Sequence, residues 1–436
     1  MANPYLPAWE YIPDGEPRVF GDRVYVYGSH DRVGHEKFCD YQLKVWSAPV
    51  DNLNEWTCHG VAFSTRDVNG HPADVDWSDN ELYAPDVVEK DGKYYLYAYI
   101  VGAKGCVAVS DRPEGPFKLI SRYEYHIEKH YDDGIFVDPG VLVDDDGRVY
   151  IYCGYLGSYM AEINPDNMYE IIDGTYQEGI IPVEEPYEFF EACSPRKIGD
   201  TYYLIYSPKK GNRLDYAISK SPTGPFEYKG TIVDNGLDYP AGNDHGSICQ
   251  INGQWYIFYH RMTNGTIMSR RACVERIEVL PDGTIPQVEM TSLGFEESLN
   301  PYRITPADTA CVLTGGCLIT EKNEFERNII RITNGCVMGW KYFDFGYNSG
   351  SNMQLKLRIR GCGCRGKIHV LLDSADGEEI GVAEFGADDS IVTADLTNIQ
   401  GRHAIFLKAQ EGYEGWGAEW LEGRDLFELV SFVFKI

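Results

Sequence analysis

The chain has 436 residues, with 39 basic side chains against 67 acidic ones and a formal net charge of −28. That length suffices for two domains with full cores, while the charge argues against nucleic acid and anionic membranes as partners, since both are polyanions. A neutral ligand fits better.

The opening Met1-Ala2-Asn3-Pro4-Tyr5-Leu6-Pro7 has neither the basic nor the apolar segment of a secretory leader, and no later stretch approaches the ~18 apolar residues of a membrane span. The expectation is a cytoplasmic protein without a membrane partner. Its twelve cysteines are scattered without metal spacing, as suits buried thiols in a reducing compartment. Cys362-Gly363-Cys364 is the only close pair, and two ligands do not make a zinc site.

From the N-terminus, a tight turn running into an aromatic-rich strand recurs five times: Gly21-Asp22-Arg23-Val24-Tyr25, Asp91-Gly92-Lys93-Tyr94-Tyr95, Asp146-Gly147-Arg148-Val149-Tyr150, Gly199-Asp200-Thr201-Tyr202-Tyr203 and Asn252-Gly253-Gln254-Trp255-Tyr256. The closing aromatics are 70, 55, 53 and 53 residues apart. The β-branched and aromatic runs predict strands, and the Asp-Gly and Asn-Gly pairs predict two-residue hairpins, whose central residues need positive φ. A second element, Ser110-Asp111-Arg112-Pro113-Glu114-Gly115-Pro116-Phe117, returns as Ser219-Lys220-Ser221-Pro222-Thr223-Gly224-Pro225-Phe226. Repeats of about 50 residues with about four strands each have the size of propeller blades.

The signature ends after Tyr259-His260-Arg261, and Ser269 to about Val288 reads as paired strands closing the last blade. From Ala310 the alternation in Met353–Arg360 and Lys367–Leu372 suits sheets buried on one face. The predicted fold is all-β: a five-bladed β-propeller over residues 1–300, followed by a β-sandwich over 301–436.

Counting back from each closing Tyr, Asp14 lies 11 residues upstream, Asp138 and Glu191 lie 12, and His245 lies 11, with Asp244 beside it; the second repeat has Tyr83 and Ala84 there. If the blades surround an axis, these positions converge at one mouth. Two carboxyls across a glycosidic bond can hydrolyse it, one protonating the leaving oxygen and the other activating water or attacking directly. A third acid beside the donor raises its pKa by like-charge repulsion. Asp14-Gly15 and Asp138-Pro139 taken singly read as turn residues, but Glu191 sits in the otherwise apolar or small run Phe189-Phe190-Glu191-Ala192-Cys193-Ser194, where a charge needs a reason.

Asp14 before the first strand, Ala84-Pro85-Asp86-Val87, Asp138-Pro139 leading into Val141–Gly147, and Glu191 ahead of Tyr202–Ser207 together resemble glycoside hydrolase family 43 over residues 3–290. The resemblance implies an inverting enzyme acting on xylose- or arabinose-containing oligosaccharides, with Asp14 as general base, Asp138 as pKa modulator and Glu191 as general acid. It further implies substrate contacts by Arg271, next to Arg270 on the last blade, and a central-channel histidine, His245 in Gly242-Asn243-Asp244-His245-Gly246-Ser247, associated with a hydrated calcium ion. No catalytic cofactor is implied. Trp77 and Phe190 are the candidates for stacking on a sugar ring.

The C-terminal sandwich resembles a family 6 carbohydrate-binding module through Gly401–Leu407 and the closing strand Asp425–Phe434. An exo-acting enzyme with both β-D-xylosidase and α-L-arabinofuranosidase activity is the leading expectation. A non-catalytic sugar-binding propeller and a phosphorolytic propeller enzyme are the alternatives; the repeated Ser-x-Asp-x-Gly-x-Thr-Trp turn of sialidases is absent.

Overall fold

Four of the five repeated turns close two-residue hairpins, with Phe20 opposite Arg23, Lys90 opposite Lys93, Ile198 opposite Thr201 and Ile251 opposite Gln254. Asp91-Gly92 and Asn252-Gly253 have left-handed φ at both central residues, the geometry that lets a hairpin follow the strand twist. In the third repeat Val143 faces Val149 across a longer turn, which is why its acid is displaced by one position. The computed structural model describes residues 2–102, 105–121, 136–236, 244–347 and 352–436. Within them the regular secondary structure is almost entirely strand, and no helix is long and apolar enough to cross a membrane.

Each repeat forms one antiparallel sheet in sequence order. Four sheets have four strands, spanning Glu16–Ser64, Leu82–Ser121, Gly140–Glu178 and Phe189–Asp234; the fifth has three, Ser247–Ile251, Gln254–Met262 and Arg270–Ile277. The expected pairing as far as Val288 stops at Ile277, and Val288 instead bridges Val233 of the fourth sheet. Beside Arg270–Ile277 runs the N-terminus: Tyr5 N–H donates to Ala272 O, and Val274 N–H to Asn3 Oδ1. First and last blades are thereby joined, as a propeller requires.

The first strand of every sheet lies innermost. Strand Glu16–Phe20 neighbours both Leu82–Lys90 and Ser247–Ile251, and Gly140–Val143 lies between Leu82–Lys90 and Phe189–Ile198. Ser194 Oγ to Ser247 Oγ (2.6 Å) and Arg196 Nε to Ile248 O (3.0 Å) complete the ring. Backbones approach closely here. A Cβ on Gly140 would sit 2.2 Å from Cys193 O, and one on Gly246 would sit 1.8 Å from Phe258 O.

Two arginines span all five blades. Arg18 holds Asp86 through Nε (3.0 Å) and Nη2 (2.6 Å) and donates to Val141 O, while Asp86 accepts from Val141 N–H, tying the first three sheets. Arg196 holds Glu16 Oε2 at 2.6 Å besides Ile248 O, tying the fourth, first and fifth. Farther out, the copied element locks neighbours alike: Tyr27 donates to Pro113 O and Tyr152 to Pro222 O, each from one blade to the next.

Residues 305–435 form a six-stranded and a five-stranded sheet whose inner faces meet through Trp340 against Phe432 and Phe385 against Phe427. Along Met353–Gly361 alternate side chains are buried, as the sequence period predicts. This core is continuous with buried residues of the fourth and fifth propeller sheets, among them Tyr203, Ile257 and Cys273.

Candidate active site

Where the inner strands begin, the chain turns through left-handed φ at Asp14, Ala84, Asp138 and Ala192. Strand register sets these four as equivalents: two residues on, Glu16, Asp86, Gly140 and Ser194 face Tyr27, Tyr97, Tyr152 and Ile205. His245 holds the same place in the fifth sheet, two residues before Ser247, which faces Phe258. Glu191 therefore sits one residue ahead of the shared position, beyond a bulge between it and Ser194. Tyr83 has the matching place in the second sheet.

Asp14, Asp138 and Glu191, from three blades, line one pocket of about 510 Å³ with Phe38, Tyr83, Tyr99, Tyr155, Phe190, Ile267 and Arg270. All three acids are buried, so each meets a strong local field. Phe190 packs edge-on against Tyr155, with ring centroids 5.2 Å apart. Trp77 is not in this wall. It packs against the apolar cluster of the first two blades, with Phe63, Val75 and Leu82.

Arg270, not Arg271, enters the pocket. Neighbours on a strand point to opposite faces: Arg271 Nη1 turns away to Asp308 Oδ2 at 2.8 Å, while Arg270 Nη1 donates to Asp14 Oδ1 at 2.8 Å. The Arg270 guanidinium also holds Asp31 through Nε and Nη2, each at 2.9 Å, beneath the ring of Phe38. Ser29 Oγ donates to the other Asp14 oxygen at 2.6 Å, and Asp14 N–H donates to His260 Nδ1. Ser29, Asp31 and Phe38 lie outside the repeat signature, and His260, although it stands at the signature's end, is not part of what recurs, so the sequence pattern marks none of them.

The electrostatics drive the carboxyls apart. Burial would raise the Asp14 carboxyl, but Arg270, His245, His260 and the Ser29 hydroxyl outweigh it and hold it below the ordinary range. For Asp138, burial dominates; His245 opposes it, repulsion from Glu191 and Asp14 adds to it, and the carboxyl is pushed up to about 8. Asp138 thus retains its proton near neutral pH. One carboxyl, Asp14, is held ionised and another, Asp138, is held protonated.

His245 lies among carboxylates: Nδ1 is 3.9 Å from Asp14 Oδ1 and 3.8 Å from Asp138 Oδ2, and Nε2 is 3.8 Å from Glu16 Oε1. Burial opposes its protonation, but Glu16, Asp138 and Asp14 prevail and raise it to about 9. Of its sequence motif, Gly242 and Asn243 lie outside the described residues. Among the described residues no three His, Cys, Asp or Glu side chains gather around one point fit for a metal.

The profile of "Glycosyl hydrolases family 43" matches residues 12–285. The chain is 39% identical to a xylosidase/arabinosidase of Thermoclostridium stercorarium, over 95% of this chain and 96% of that protein. Among solved structures, a β-xylosidase/α-arabinofuranosidase from a compost microbial metagenome, complexed with xylotriose in a calcium-free form, is 29% identical, with a TM-score of 0.57 over 66% of this chain and 97% of its own. An arabinoxylan arabinofuranohydrolase from Bacillus subtilis shares the fold across both regions, at 22% identity, a TM-score of 0.56, and 99% and 97% coverage. The protein thus belongs to glycosyl hydrolases family 43 and is a glycoside hydrolase.

Proposed function

We propose that the enzyme releases xylose, arabinose or both from xylan- and arabinoxylan-derived oligosaccharides, with inversion at the anomeric carbon. One observation carries this reading: a single pocket joins Asp14, a carboxylate held ionised, to Asp138, a carboxyl that keeps its proton, with Glu191 in the same wall. Asp14 takes a proton from water as its oxygen attacks the anomeric carbon, and Glu191 gives a proton to the departing glycosidic oxygen from the opposite face. Asp138, in the same pocket and in electrostatic reach of Glu191, is the modulator of this proton. Arg270 orients Asp14 and keeps it basic only weakly, so that it stays unprotonated in mildly acidic solution.

The names of the relatives support the pentose assignment, as do the pocket walls. Tyr83, Tyr99, Tyr155 and Phe190 offer apolar faces to a pentose ring. Phosphorolysis fits less well, since the one cation among the described lining residues, Arg270, is already committed to two carboxylates.

The catalytic unit is residues 1–300 and the sandwich unit 301–436. No step needs a catalytic cofactor. Calcium would have oxygen from Glu16 Oε1, buried without a hydrogen-bond partner, and nitrogen from His245 only once that imidazolium gave up its proton; such a donor set suits only a largely hydrated ion. We place the enzyme in the cytoplasm because its twelve cysteines are free thiols, buried save for Cys58 and Cys362. Assays with aryl xyloside and aryl arabinofuranoside test the activity. Turnover of either supports it, and turnover of neither overturns it.

A further inference from the structure

The loop carrying Ile267 into the pocket, and the segment leading to Asp14, are both gripped by one hairpin of the C-terminal sandwich. That hairpin pairs Leu318–Asn323 with Glu326–Ile332. Glu321 Oε2 accepts from Tyr11 O–H at 2.8 Å and from Arg327 Nη2 at 2.9 Å, while Arg327 Nε donates to the same Tyr11 oxygen at 3.1 Å. Glu321 N–H donates to Asn264 Oδ1 at 2.9 Å, and a Cβ on Gly265 would meet Leu318 at 3.1 Å.

Both grips lead to the same place. Tyr11 O accepts from Asp31 N–H, and Asp31 binds Arg270, which binds Asp14. On the other side, Asn264 opens the loop whose ends are closed by Thr263 N–H to Ser269 O, immediately before Arg270. Tyr11 and Arg327 are buried, so water does not substitute freely for these bonds.

We propose that hairpin 318–332 is a positioning element of the catalytic centre, with Glu321 its principal positioning residue: it fixes Tyr11 and Asn264, and through them the Asp31–Arg270–Asp14 chain. The sandwich would then serve hydrolysis directly, whether or not it binds sugar. This inference rests on Asp14 being the general base.

The test uses the full chain and the variants Tyr11→Phe, which removes one hydroxyl, and Glu321→Gln, beside Lys367→Ala, which lies outside the hairpin and whose partner Glu384 is within the sandwich. Expected for the first two is a fall in kcat of about 10-fold or more with a smaller change in KM, together with an upward move of the acid limb of the pH profile as Arg270 loosens from Asp14. Lys367→Ala should leave both unchanged. If Tyr11→Phe and Glu321→Gln only lower Tm, with kcat and acid limb as in the parent, the hairpin is merely structural and the inference is overturned. Asp14→Asn separates the two levels: an active Asp14→Asn enzyme refutes the catalytic reading itself, whereas an inactive one beside unaffected hairpin variants refutes the positioning role alone.

Discussion

Arg270 holds Asp14 and Asp31 at once, one guanidinium nitrogen on the first and two on the second. The arrangement leaves Asp14 ionised inside a pocket where burial alone would protonate it. Because its folded pKa is depressed, Asp14 contributes stability above the unfolded carboxyl range, and that contribution is lost as pH falls through the folded value.

Replacing Arg270 by Gln should therefore raise the Asp14 pKa and carry the acid limb of kcat/KM upward. With Asp14 also freed to move, kcat/KM should drop on the order of 10²-fold. The pH dependence of kcat/KM, measured for both proteins on one aryl glycoside, checks the sign. An unmoved limb would separate Arg270 from the proposed base.

Asp138 behaves oppositely. Its carboxyl binds a proton in the folded protein up to about pH 8, whereas the unfolded chain releases it near pH 4. The stability it contributes at low pH is lost as pH rises between those values. Asp138→Asn should consequently raise Tm by a few °C at pH 8 while lowering kcat, since Glu191 then loses the neighbouring carboxyl proposed to modulate it. Thermal scans at pH 5 and pH 8 should show the gap between variant and parent widening with pH.

Glu191→Gln removes the proposed proton donor without changing size. Its kcat should fall on the order of 10²- to 10⁴-fold on unactivated oligosaccharides. Aryl glycosides with good leaving groups should suffer less, because their departure needs little protonation. NMR of the first-formed sugar should show inverted configuration in the parent enzyme; retention would call for a nucleophile instead of a base.

Much of this was legible in the sequence because a propeller repeats its hydrogen-bonding frame, so Asp14, Asp138 and His245 keep their register through the turns of each blade. Glu191 came within the same offset for a different local reason, a bulge in its strand. The choice between Arg270 and Arg271 was closed to sequence, since a period of two says that neighbours diverge and not which one faces inward. Ser29, Asp31 and Phe38 come from a loop of the first blade, and loops obey no period. Trp77 misled because an aromatic near a mouth and an aromatic packed between blades look alike in composition.

The axis itself offers a stability test. Arg18 satisfies both oxygens of Asp86, which is buried. Arg18→Met would strand that carboxylate among five strands, a loss of about 3–5 kcal/mol, although a buried ion pair as a whole is worth far less than the cost of breaking it. The double variant Arg18→Met with Asp86→Leu should then recover much of the lost stability, because no unpaired charge remains. Val141 N–H loses its acceptor in that double variant, so recovery should stop short of the parent. Denaturation of the four proteins of the cycle measures the coupling, and strict additivity of the two single losses would show that Arg18 and Asp86 do not act as a pair.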